Sequence, residues 1–101
     1  VTVVESLAEL DGTPHAAVFP GTEPKTVRLR LDAGESVPAH THPDRRVLLY
    51  VVDGVVELRV GDEEHELSAG DVARFDGSRE VSPRAVEAAT ALVVLAERVD
   101  D

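Results

Sequence analysis

The stretch Gly34–Gly54, GESVPAHTHPDRRVLLYVVDG, decides how this chain is read. It sets His40 and His42 one residue apart, then runs through the apolar residues Val47 to Val52 into Asp53-Gly54. In extended backbone, residues i and i+2 point the same way, so both imidazoles project from one face. Two imidazoles begin a metal site without completing it. Structural zinc takes four ligands and catalytic zinc three, and non-haem iron is typically held by two histidines and a carboxylate.

Working outward, Asp53-Gly54 is a strong two-residue hairpin signal, so Val47–Val52 and Val55–Val60 are expected to fold back on each other. That register sets Val51 against Val56, Leu49 against Leu58 and Val47 against Val60, all on one apolar face that must be the core. The other face carries Leu48, Tyr50, Val52 and Val55 beside Glu57 and Arg59. It is too apolar for full solvation, which implies partial cover by the N-terminal segment or a second subunit. A second tight turn at Gly61-Asp62 returns His65 and Leu67 on the core face, beside Leu58 and Val56.

The remaining segments are short. Val1–Val4 reads as a strand or extended arm, Ser6–Glu9 as one helical turn with capping-box spacing, and His15–Phe19 as a strand. Val27–Leu31 alternates as a half-buried strand should. Ser36–His42 is an irregular edge strand, because Pro38 cannot donate to a ladder. Val72–Phe75 is a strand, Glu80–Ser82 a short one interrupted at Pro83, and Thr90–Ala96 the last. Short strands with regular turns indicate an all-β sandwich or barrel. The expected division is an N-terminal arm with strands over 1–25, a barrel over 26–97 and a charged tail over 98–101.

At 101 residues the chain is one domain. It has no cysteine, which excludes disulfides, Cys-based zinc sites, iron–sulfur clusters and thiol catalysis. No apolar run is long enough for a membrane span and no signal peptide is visible, so the expected address is cytoplasmic. Twenty Asp and Glu against ten Lys and Arg give a formal charge of −10, which argues against nucleic acid and anionic membranes as partners. Lys25 is the only lysine. An acidic, lysine-poor surface suits a salt-adapted, halophilic cytoplasm, where screening shortens charge repulsion; GC-rich coding in a mildly acidic protein is the plainer account.

The layout resembles a single-domain cupin of the conserved-barrel type, an all-β, double-stranded β-helix or jelly-roll barrel. The family's first motif is a glycine, five residues, His-x-His, three or four residues, a glutamate, six residues and a glycine. Gly34, His40, His42 and Gly54 fall on it, but Val47 stands at the glutamate. Gly70-Asp71 matches the start of the second motif, whose later proline, glycine, histidine and asparagine positions hold Asp76, Ser78, Val81 and Ala85. The resemblance runs from about Val27 to Ala96. It implies a divalent transition metal (zinc, manganese, iron or nickel) in a ligand set here reduced to His40 and His42. His65, from its core-facing register, and Asp44, two residues after His42, are the candidates to add to it. His15 has no partner in sequence and reads as structural or exposed. Arg45 and Arg46 are read as pairing with carboxylates.

Three readings follow. The chain binds a small molecule or a metal in its barrel, with His40 and His42 at the polar end. Alternatively it is a metal-dependent enzyme of dioxygenase or isomerase type that uses His40, His42 and a ligand foreign to the family. In the third it is an interaction protein that forms a homodimer through the outer face around Leu48 and Tyr50.

Overall fold

A computed structural model describes residues 1–98 of the chain; of the expected tail over 98–101, the part beyond residue 98 lies outside them. After a 3-10 turn at Leu7–Glu9 come β1 (His15–Val18), β2 (Lys25–Leu31), β3 (Arg45–Val60), β4 (Glu63–Ser68), β5 (Val72–Asp76) and β6 (Val81–Glu97). One antiparallel sheet runs β1-β2-β6-β3-β4, and β5 pairs with the first half of β3. The chain is all-β, as the alternating pattern and turns imply, and of the sandwich and the barrel they left open it forms the barrel that the resemblance implies. Among the described residues no helix is long and apolar enough to cross a membrane.

The hairpin expected at Asp53-Gly54 does not form. β3 continues through it for 16 residues and pairs along its length with β6, with register shifts between Val51 and Val56. Asp-Gly announces a positive φ, not a chain reversal, and a bulge uses that φ equally well. Gly54 has φ +83°, and a Cβ there would overlap the backbone of Ala88 and Ala89, so glycine also lets the two long strands close together at their bend. The inferred core face nonetheless holds. Val47, Leu49, Val51, Val56, Leu58 and Val60 are all buried. From Val51 to Val56 is an odd step, and the irregularity flips the side-chain parity as a two-residue turn would have done.

The interruption expected at Pro83 is also absent, since β6 runs unbroken from Val81 to Glu97. Ser36–His42 is less than a strand, contributing only isolated bridges from Ser36 to Arg84 and from His40 to Val81. The second turn is as read, with Leu58 opposite His65 and Val56 opposite Leu67.

The outer face is covered in part by the N-terminal segment. Alternation put Arg28 on the solvated side of β2, yet it is fully buried. Its guanidinium donates to the carbonyls of Leu7 (2.7 Å), Leu10 (3.1 Å) and Gly12 (2.6 Å), which pins the 3-10 turn and the chain after it over the sheet. These acceptors offset the desolvation of a charge that would otherwise be costly to bury. Leu48, Tyr50, Val52 and Val72 lie beyond this cover and stay exposed.

Candidate functional site

One cavity opens into the barrel. Its apolar wall includes Val27 and Leu29 from β2, Val47 and Leu49 from β3, and Val93 and Leu95 from β6. Phe75, Val81 and Pro83 complete that wall, and His15, His40 and His42 form its polar border. Among the described residues no carboxylate, arginine or lysine lines it. About 60 Å³ is open to the centre of a water-sized sphere, several times the roughly 10–15 Å³ that one water requires.

The two motif histidines reach the cavity by separate backbone devices. His40 exchanges two hydrogen bonds with Val81: its N–H donates to the Val81 carbonyl (3.1 Å) and its carbonyl accepts from the Val81 N–H (2.9 Å). Its ring Nδ1 lies 2.8 Å from the Pro38 carbonyl. The His42 N–H donates to the Gly77 carbonyl at 2.6 Å, and the Gly77 N–H donates to the Arg45 carbonyl at 2.8 Å. Gly77 is buried there, and a Cβ would overlap the His42 and Arg45 carbonyls, so only glycine lets the loop close this tightly. The two rings meet edge to face, with centroids 4.7 Å apart and planes at 88°.

The electrostatics of the site favour the uncharged form of two of its histidines, His42 and His15. Burial pushes the His42 pKa below 6.5, and the positive fields of His40, Lys25, His15 and Arg45 act in the same direction. Burial, then His40, lowers His15 likewise. Arg45 itself turns away from the cavity. It donates to Glu23 at 2.6 Å and to the Leu95 carbonyl at 2.8 Å, the carboxylate pairing expected for it.

His15 is the residue that sequence reasoning passed over. It sits on β1 opposite Leu29, which turns its ring to the inner face, and it is more open to solvent than His40 or His42. Only the pairing of β1 with β2 brings it there; the sole hint in the sequence was a histidine at the start of a short strand.

The proposed extra ligands do not join the site. His65 has the pairing partner expected of it, but β4 ends the sheet path, and the ring is 52% exposed beside Glu63 at 3.3 Å. Asp44 sits in the loop at φ +63°, where its carbonyl accepts from the Arg98 N–H, and it does not border the cavity. Among the described residues no group of three or more His, Asp or Glu side chains is placed to hold a metal ion. Val47 and Val81 do border the cavity, so methyl groups stand where the resemblance would put a carboxylate and a third imidazole. This donor set does not fit a resident metal of the family's kind.

Residues 27–96 match the cupin domain family. The chain is a cupin. No curated protein matches it, but solved structures share its fold. The cupin domain of Schizosaccharomyces pombe Cnp3 aligns at 18% identity with a TM-score of 0.84, over 95% of this cupin and 70% of that chain. The protein TT1209 from Thermus thermophilus aligns at 25% identity and 0.74, over 95% and 98%. KdgF from Halomonas sp. aligns at 22% identity and 0.72, over 89% and 86%. The matched family region begins after β1, so His15 lies outside it.

Proposed function

We propose that this cupin binds a small, largely apolar molecule in its barrel, with His40 and His42 supplying the polar end. The observation that carries the reading is the cavity itself: the barrel keeps an open, apolar-walled space at the two histidines while Val47 and Val81 deprive it of metal donors. The test is amide NMR of the labelled chain against a set of small aliphatic compounds. Binding should shift Leu49, Val81 and Val93 together, and His42→Ala should weaken it. If no compound moves those residues, the reading fails.

The metal-dependent alternative has one feature in its favour. A ring held through Nδ1 by a backbone carbonyl, as His40 is, is the usual outer support of a ligating histidine. Elemental analysis of untagged protein beside His40→Ala and His42→Ala separates the two. Near-stoichiometric metal in the wild-type chain, lost in both variants, would favour the alternative.

A further inference from the structure

The Pro38 carbonyl fixes more than the orientation of His40. A carbonyl oxygen has no proton to give, so in the 2.8 Å contact the proton must sit on Nδ1. In the neutral ring Nε2 is then a bare acceptor. Among the described residues no donor pairs with it. The ring borders the cavity, so a molecule that enters meets an acceptor it can satisfy only by donating a hydrogen bond.

The rest of the lining narrows the class. A carboxylate would bring acceptors to an acceptor. An ammonium would find no carboxylate in the wall among the described residues, and near His42 it would meet the positive fields of Lys25 and Arg45. A hydroxyl suits both sides, since it donates to His40 and its oxygen accepts an N–H from His42 or His15. Size limits the remainder. The open space of about 60 Å³ is well below the roughly 150 Å³ of a dry cavity that admits benzene. The apolar part is therefore a short aliphatic group.

We propose that the cavity is selective for small, uncharged aliphatic alcohols of about three or four carbons, held by donation of the hydroxyl proton to Nε2 of His40. This rests on the barrel cavity being a ligand site, and the test separates the two claims.

The full chain is titrated at alkaline pH, where imidazoles are neutral, with 2-methyl-1-propanol and its isomer 2-methoxypropane. The latter has the same atoms and no donor. Isobutyrate and isobutylamine serve as charged partners of similar shape. The alcohol should bind at least about five-fold tighter than the ether, the worth of one net hydrogen bond, and both charged compounds more weakly than the alcohol. His40→Phe should erase the preference for alcohol over ether. Imidazole ¹⁵N shifts of the wild-type chain should show His40 protonated at Nδ1, with Nε2 moving when the alcohol binds; this measurement needs no variant.

A His40 protonated at Nε2 would overturn the proposal. So would equal binding of alcohol and ether at the cavity, or tighter binding of isobutyrate; either leaves the cavity a ligand site and removes only its selectivity. Failure of all these compounds to bind the wild-type chain would overturn both claims.

Discussion

The two ends of the barrel interior are walled by similar residues to opposite effect. At one end Val51, Val56, Leu58 and Ala85 show no exposed surface, and the glycine-permitted bend at Gly54 draws β3 against β6. At the other end Val47, Leu49, Val81 and Leu95 are almost as buried, yet they surround open space that reaches three imidazoles. The difference lies in the third wall. The sealed end is closed where β3 bends against β6 at Gly54, with small alanines on β6 letting the backbones approach. The open end is closed by the irregular segment Pro38–Arg45, which is bonded through its backbone to Val81 and Gly77 and presents the imidazoles of His40 and His42 to the cavity. Stability should therefore reside at the first end and ligand recognition at the second.

That separation can be tested, beginning where the effect is largest. Leu58→Ala removes a fully buried side chain from the sealed end. It should cost about 2–5 kcal/mol in urea unfolding and leave affinity at the cavity unchanged; a fall in affinity with the fold intact would show that the ends are coupled. The double change Val47→Glu and Val81→His places a carboxylate and an imidazole on the wall that already holds His40 and His42. Without metal it should lose about 1–3 kcal/mol from unpaired buried polar groups. Zinc or manganese should restore the loss and bind more tightly than to the wild-type chain. If thermal melting shows no rescue, the valines are not what separates this cavity from a metal centre.

Acid should act on the open end through His42 and His15. Both have folded-state pKa values below the ordinary 6.5, so near pH 6 the unfolded chain binds more protons than the folded one. Their contribution is whole above about pH 6.5 and is lost as pH falls through the lowered values. A series of unfolding curves between about pH 7.5 and 5.5 should show this slope, and His42→Gln should flatten it. The smallest effect is expected for His15→Ala. At an exposed edge position it should change stability by no more than about 0.5 kcal/mol, while ligand affinity falls a few-fold. An unchanged affinity would make His15 a bystander at the rim.

The sequence was read correctly where the physics is local or periodic. Alternation along Val47–Val52 and Val55–Val60 identified the core face, because a side chain's face depends only on parity and the odd step across Asp53-Gly54 survives either backbone path. His40 and His42 were legible as a pair from their spacing, and the valines at the metal positions from the resemblance to the cupin motifs. Asp53-Gly54 itself misled, because a dipeptide states which φ is available and the choice between turn and bulge depends on whether a long partner strand runs past; β6 does. His65 misled in the same way, since its register said which face it takes and not whether that face is covered.

What the sequence by itself determined is thus the all-β barrel, its inner face and a pair of imidazoles without their usual companions. The all-β class, the inner face and the imidazole pair follow from alternation, turn residues and spacing, all of which act over a few residues; the barrel and the missing companions follow from the resemblance to the cupin motifs. Only the tertiary structure brought His15 beside His40 and His42, took His65 and Asp44 out of the site, and buried Arg28 under three carbonyls of the N-terminal segment. Each of these depends on which distant strand or segment packs alongside, and that is set by the closing of the whole sheet rather than by any local preference of the residue concerned.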